Sequence, residues 1–309
     1  MRIFVNSCER GIIMGKNGNW RVYLAGVTVS LIFGLSFLFT KAGIEYVGIY
    51  TFLSYRFGIA TAAILLLSFL KVVRISRKPY WKLWKVVIFQ PIMYFIFETN
   101  GLRYATSSEA GMIIAMIPIV IAFLSPFMLK EKLHWFQVLF AFTSFLGVSL
   151  IVGGGGFEKG AFIGKVLVLC AVFSAALYNI FSRKLSALFE PMEITFTMML
   201  TGFLFFTTMS LITGQFEITT NLSAIISALY LGVLSSTVAF FLVNYMLSKV
   251  SPTVSSLFSN LTTIVSVLAG SLIRHEKILF IQIIGMVMIL ASLVANSYLS
   301  SRAKNKTSA

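Results

Sequence analysis

Two opposite charges stand inside apolar stretches of this 309-residue chain and are its first candidates for chemistry. Arg56 and Glu98 each lie about six residues from one end of such a stretch, which is roughly 9 Å along a helix. Because a charge in hydrocarbon costs about 3 kcal/mol, both side chains should face the protein interior. Three interpretations stay open: a structural ion pair, a site where a solute carboxylate displaces or joins Glu98 at Arg56, and a Glu98 that carries protons.

Amide, phenol and hydroxyl groups in other apolar stretches extend this candidate site. An amide in a dry environment needs hydrogen-bond partners, so these groups should also face an interior pathway. The candidate binding residues are Arg56, Glu98, Gln90, Tyr94, Tyr178, Asn179, Asn244, Tyr245, Ser259 and Asn260. Ser259 and Asn260 belong to a face of small and polar residues, and such a face also serves close helix packing.

The chain offers few residues for catalysis or metal binding. All ten of its acidic residues are Glu, which excludes chemistries that require Asp, such as a Ser-His-Asp triad or an EF-hand loop. His134 and His275 are isolated, Cys8 and Cys170 are far apart, and no ATP-binding motif is present. We therefore expect no catalytic residues, no metal and no cofactor. Two functions without transport stay open as alternatives: a membrane-embedded enzyme, such as a lipid-modifying one, or a sensor.

The composition identifies the environment of these residues. Hydrophobic residues make up 58% of the chain and charged residues only 11%, against about 25% charged in an average soluble domain. A soluble fold could not cover so much apolar surface, so a soluble enzyme is excluded. The net charge of +15 is interpreted as basic loops facing anionic lipid, not as a nucleic-acid site, because no basic and aromatic patch lies outside the apolar stretches.

A helix needs roughly 20 apolar residues to cross a bilayer. The predicted fold is therefore an all-α integral membrane domain with ten transmembrane helices. They cover approximately residues 22–41, 50–70, 84–104, 107–128, 134–153, 161–182, 192–213, 222–246, 252–273 and 278–299. Residues 1–21 and 300–309 are predicted to be terminal tails.

Lys and Arg are concentrated in alternate loops, with the largest group between Lys71 and Lys85. The rule that basic loops stay in the cytoplasm places both termini there, and the protein in the cytoplasmic membrane as a multi-pass protein. The sequence is compatible with a monomer.

Two halves of the chain repeat each other at an offset of 145 residues. KEKL (130–133) then aligns with HEKI (275–278), Gln137 with Gln282, and Thr106 with Ser251. The predicted repeats, 22–153 and 161–299, each contain five spans. Because five is an odd number of spans, the second repeat enters the membrane from the opposite side and is inverted relative to the first. Inverted repeats are typical of carriers that alternate access around a central site.

Residues 101–137 (GLRYATSSEAGMIIAMIPIVIAFLSPFMLKEKLHWFQ) resemble the most recognisable stretch of the EamA branch of the drug/metabolite transporter superfamily. The matching residues are Tyr104, Pro118, Val120 and Glu131 in this copy, and Leu257, Asn260, Leu261 and Glu276 in the second. Thr263 departs from the family pattern, which usually has Pro there. The resemblance implies two inverted five-helix repeats around a central cavity. It also implies a secondary transporter whose solute is a small metabolite, amino acid or drug. Members of the family export or import their solutes, and we expect export here.

Overall fold

The computed structural model describes residues 19–129, 135–153, 159–256 and 258–307. The helices in chain order are α1 (Asn19–Ile44), α2 (Ile49–Phe69), α3 (Trp84–Val87), α4 (Tyr94–Tyr104), α5 (Ser107–Ile114), α6 (Ile117–Leu129), α7 (Trp135–Gly153), α8 (Lys159–Leu185), α9 (Pro191–Ile212), α10 (Leu222–Leu229), α11 (Phe240–Lys249), α12 (Pro252–Ser256), α13 (Ser259–Arg274) and α14 (Phe280–Thr307). Two π-helical segments, Ile88–Met93 and Tyr230–Ala239, lead into α4 and α11. The described residues contain no β-strand.

Several helical stretches are long and apolar enough to cross a membrane. Within the described residues there are seven: Trp20–Ile44, Ile49–Phe69, Ser107–Ser125, Gly160–Leu185, Pro191–Ile212, Leu222–Lys249 and Val254–Arg274. Val138–Ile151 and Phe280–Ser292 are shorter apolar helices. The chain is therefore an all-helical, multi-pass membrane protein, while the count of ten spans stays a prediction. Glu131 and the KEKL segment lie outside the described residues.

Two spans that the sequence predicted as continuous are interrupted next to a proline. Gln90 has non-helical angles (φ −149°, ψ 118°) just before Pro91, so the predicted span 84–104 is broken there. The predicted span 107–128, which contains the helical stretch Ser107–Ser125, has a turn at residues 115–116 between α5 and α6, and Pro118 lies in the first turn of α6. Proline has no N–H and cannot donate to the carbonyl four residues earlier, which favours a break at these points.

The helices pack closely where glycines face each other. Gly101 of α4 lies against α8, where an added Cβ would stand 2.9 Å from the carbonyl oxygen of Gly164. Gly147 of α7 lies against α14, where an added Cβ would stand 2.7 Å from the carbonyl oxygen of Gly285. Small residues at such crossings let helix backbones approach each other, as is typical of membrane proteins.

Polar contacts between loops and helix ends define two faces of the bundle. At the first face, Lys78 forms an ion pair with Glu193 at 2.7 Å, and Arg183 donates to the carbonyl of Leu247 at 2.7 Å. At the second face, Arg274 forms an ion pair with Glu45. The Lys41 ammonium also donates there, to the carbonyl of Ala105 at 2.7 Å.

Candidate central binding cavity

The bundle encloses a cavity of about 110 Å³. A single water needs roughly 10–15 Å³ by the same kind of measure, so the cavity has room for a small organic molecule. Most of the wall is apolar, with edge-to-face aromatic contacts between Phe33 and Phe240 (5.2 Å) and between Phe95 and Phe240 (6.2 Å). A few polar groups interrupt this apolar wall, an arrangement typical of small-molecule sites.

Arg56 lies on the cavity wall and is only 2% exposed. Its Nε donates to Ser236 Oγ at 2.9 Å and its Nη2 to Ser235 Oγ at 2.8 Å. The guanidinium carbon lies 4.3 Å from the ring centre of Phe95, within range of a cation–π contact. Its Nη1 is buried and has no hydrogen-bond partner among the described residues. A buried donor without a partner is costly, so this nitrogen is ready to bind an acceptor on a solute.

Glu98 shares the cavity with Arg56 and is also 2% exposed. Its carboxylate accepts a hydrogen bond from Thr99 Oγ1 at 2.9 Å. Among the described residues, no ion pair within 4.0 Å joins Arg56 to Glu98. Of the interpretations that the sequence left open, the geometry therefore disfavours a closed structural pair. The two charges line one cavity while remaining apart.

Five more of the sequence-predicted site residues lie on the wall: Gln90, Tyr94, Tyr178, Asn179 and Ser259. The side chains of Gln90 and Tyr94 have no hydrogen-bond partner in the described part of the chain, so their polar groups are available to a solute. Asn179 Nδ2 and Ser259 Oγ each donate to a nearby backbone carbonyl at 2.7 Å.

Three predicted site residues are not on the wall: Asn244, Tyr245 and Asn260. The Asn244 carbonyl oxygen accepts hydrogen bonds from Tyr178 (3.0 Å) and Ser182 (2.7 Å), and its amide donates to a threonine of α9. Asn244 therefore joins α8, α9 and α11 within the packed bundle. Polarity in an apolar helix correctly indicates burial here, but it does not distinguish the cavity from the packed interior.

Several polar residues of the cavity and the interior are not among the sequence-predicted binding residues. Ser235 and Ser36 both line the cavity, and their hydroxyl oxygens are 3.0 Å apart. Away from the cavity, Lys165 is fully buried and pairs with Glu109 at 3.0 Å. Serine is too common in membrane helices to mark a site by itself, and Lys165 lies near enough to the start of α8 to suggest a helix end.

The two halves of the chain contribute matching positions to the wall. Pairs separated by 145 residues include Phe33 and Tyr178, Gln90 and Ser235, and Phe95 and Phe240. The two π-helical segments also correspond at this offset, since Ile88–Met93 falls within Tyr230–Ala239 when it is shifted.

The Glu276 carboxylate joins two helix ends at the second face by hydrogen bonds. Glu276 accepts hydrogen bonds from the backbone N–H groups of Ser107 and Ser108 (2.9 Å each) and from the Ser108 hydroxyl (2.7 Å). Gly270 leaves room for this contact, because a Cβ there would overlap the carboxylate of Glu276. Burial alone raises the pKa of Glu276, but the hydrogen bonds from Ser108 and Ser107 and the nearby Lys41 outweigh it, so its pKa lies below the usual value. The carboxylate also occupies the N-terminus of α5, where the helix dipole favours an anion.

Apolar helices of membrane-spanning length surround a cavity with few polar groups, which is the arrangement of a membrane protein with a small-molecule site. The model of the EamA-like transporter family matches residues 20–153 and again residues 162–298. The chain belongs to the EamA-like transporter family, and it is a transporter, not an enzyme.

Relatives of this chain support the same class. The uncharacterized transporter YcxC of Bacillus subtilis is 33% identical over 297 residues, which cover 92% of this chain and 95% of that protein. An uncharacterized transporter of Archaeoglobus fulgidus is 26% identical, with 84% of this chain and 91% of that protein covered. A solved crystal structure matches with a TM-score of 0.66 at 20% identity, over 91% of this chain and 98% of that chain. This last similarity shows the fold alone.

Proposed function

We propose that this protein is a secondary transporter that exports a small metabolite, amino acid or drug across the cytoplasmic membrane by alternating access around the central cavity. The observation that carries the proposal is Arg56 Nη1, which is buried on the cavity wall without a partner in the described residues. A buried cationic donor of this kind suits a solute carboxylate, and guanidinium binds carboxylates with two parallel hydrogen bonds. Because the sequence has no ATP-binding motif, a gradient or the solute itself supplies the energy.

The wall suggests what else the solute carries. Glu98 lines the same cavity as Arg56. Its carboxylate would accept a hydrogen bond from the solute or form an ion pair with a positively charged group on it. The aromatic side chains of Phe33, Phe95 and Phe240 supply an apolar surface. A small amphipathic molecule with a carboxylate, an amino group and an apolar part, as in an apolar amino acid, satisfies all three features.

Two observations and one general rule support alternating access between inverted repeats. The family model matches the chain twice, each time over a region that contains five predicted spans. Wall positions from the two halves correspond at one offset, as an internal two-fold relation requires. Inverted repeats of this kind place the solute site at the interface between the repeats.

Contacts hold both faces of the bundle together in this state. The second face is held by the hydrogen bonds of Glu276, and the first face by the ion pair of Lys78. The basic segment from Lys71 to Lys85 also belongs to the first face, which we assign to the cytoplasm. Arg56 and Glu98 lie nearer the second-face ends of α2 and α4, so export would move the solute from the first face to this site and then out through the second face.

Flux through proteoliposomes tests this proposal. Vesicles containing the purified protein are loaded with radiolabelled apolar amino acids and compared with vesicles containing Arg56→Ala, Arg56→Lys and the control Arg103→Ala. Arg103 is an exposed arginine near the second-face end of α4. Flux should fall at least tenfold in Arg56→Ala, because the loss of a charged hydrogen bond to the solute costs about 1.5–3 kcal/mol. Normal flux through correctly inserted Arg56→Ala protein would contradict the proposal.

A further inference from the structure

The hydroxyls of Ser235 and Ser236 hold the guanidinium of Arg56 by one edge. The two serines are consecutive and lie in the π-helical segment Tyr230–Ala239. They accept hydrogen bonds from Nε and Nη2 of Arg56, and both serine side chains are fully buried. Single π-helical insertions occur often at functional sites, and here the segment brings two neighbouring hydroxyls to a single cation.

The hydrogen bonds from Arg56 to the two serines keep its guanidinium near Glu98 without a direct contact. Phe95, over which the guanidinium lies, is one helical turn before Glu98 on α4, so Arg56 and Glu98 are neighbours along the cavity. Opposite charges that are buried side by side gain from forming a direct pair with good geometry. No such pair is present within 4.0 Å among the described residues, and Nη1 remains without a partner.

We infer that Ser235 and Ser236 are positioning residues that hold Arg56 away from Glu98. They keep the two charges from neutralising each other, so that both stay available to a solute. This inference rests on the proposed function, since it assigns to the serines the task of keeping the Arg56 site open.

The test is a double-mutant cycle on the purified, solute-free full chain. The melting temperature is measured for the wild type, Glu98→Gln, Ser235→Ala/Ser236→Ala, and the combination of all three substitutions. Without the serine hydroxyls, Arg56 should close onto Glu98, so Glu98→Gln should now remove an ion pair that the wild type lacks. We expect Glu98→Gln to lower the melting temperature by roughly 2–4 °C more in the alanine background than in the wild type.

A merely structural role for the serines gives a different result. The lost hydrogen bonds would then lower stability, but the effect of Glu98→Gln would be the same in both backgrounds, and that outcome overturns the inference. The control is Ser210→Ala, which removes a buried hydroxyl bonded to Thr51 at 2.7 Å and should leave the effect of Glu98→Gln unchanged. If the double alanine protein does not fold, the single variants Ser235→Ala and Ser236→Ala are measured in the same cycle.

Flux separates this inference from the proposed function. Loss of flux in both Arg56→Ala and the double alanine variant is the expected result. Loss in Arg56→Ala with normal flux in the double alanine variant would overturn the positioning role and leave the proposed function standing. Normal flux in Arg56→Ala would overturn the proposed function itself.

Discussion

At the scale of single residues, the sequence located the two charges but not their relation. Arg56 and Glu98 stand out because charges are rare in apolar helices, and the cavity wall indeed contains both. Their separation depends on Ser235 and Ser236, which are about 180 residues away from Arg56 in the chain. No local pattern at Arg56 indicates such distant hydroxyls, so polarity predicted most of these cavity-wall positions but not their hydrogen bonds.

Glu276 allows a test of a single carboxylate at the second face. Glu276→Gln removes the charge that accepts from the N-terminus of α5, so the free energy of unfolding at pH 7 should fall by about 1 kcal/mol. The side chain is only partly buried, and solvent screening keeps the effect at this size. Denaturant unfolding in detergent measures the difference, with the exposed Glu217→Gln as the control.

The stabilisation by the Glu276 carboxylate should weaken at low pH. The pKa of Glu276 in the folded protein is below the value of about 4.3 for an unfolded glutamate. Its contribution is therefore fully present above that value and disappears as the pH falls through the folded pKa. The difference in stability between the wild type and Glu276→Gln should shrink on acidification below about pH 4. A difference that stays constant down to pH 3 would show that the carboxylate is not the source.

At the scale of helices, hydropathy indicates where the chain crosses the membrane better than it indicates where a helix is interrupted. The limits of α2, predicted as 50–70 and observed as Ile49–Phe69, agree closely. The π-helical segments were missed, because hydropathy does not distinguish a π-helical turn from an α-helical one. The break at Gln90 stands directly before Pro91, whose missing N–H favours an interruption at this point.

Because α7 and α14 cross closely, a single methyl group added at the crossing should lower the stability of the fold strongly. Gly285→Ala would bring a Cβ into overlap with the carbonyl oxygen of Gly147, which belongs to a helix backbone and cannot move aside easily. We expect the free energy of unfolding to fall by about 1–3 kcal/mol, as for other overpacked interiors. Thermal unfolding in detergent measures this effect.

Gly160→Ala is the matched control for that substitution. An added Cβ at Gly160 would lie 3.7 Å from the nearest atom, in the ring of Tyr104, which is an ordinary contact distance. Alanine also favours a helix over glycine, so this variant should be as stable as the wild type or slightly more stable. Equal loss of stability in both variants would contradict the close crossing of α7 and α14.

At the scale of the whole molecule, the assignment of membrane sides rests on the basic residues of the first face. The orientation predicts that Lys82 is on the cytoplasmic side and Glu217 on the opposite side, and both are exposed. Lys82→Cys and Glu217→Cys, each in a background with Cys8 and Cys170 replaced by serine, can be labelled with a maleimide that does not cross membranes. In intact cells only the protein with Glu217→Cys should react, and the reverse pattern would contradict the orientation.

The proposed function requires that the buried guanidinium of Arg56 bind the carboxylate of a solute in the cavity. A thermal-shift screen of purified protein measures this binding, with apolar amino acids, the amines that lack their carboxylate, and their uncharged amides as matched probes. A ligand at about ten times its Kd stabilises the folded state by roughly 1.4 kcal/mol, which is a shift of a few degrees. We expect shifts for carboxylate-bearing probes in the wild type and in Arg103→Ala, and none in Arg56→Ala. Equal shifts in Arg56→Ala, or shifts by the amines and amides alone, would contradict it.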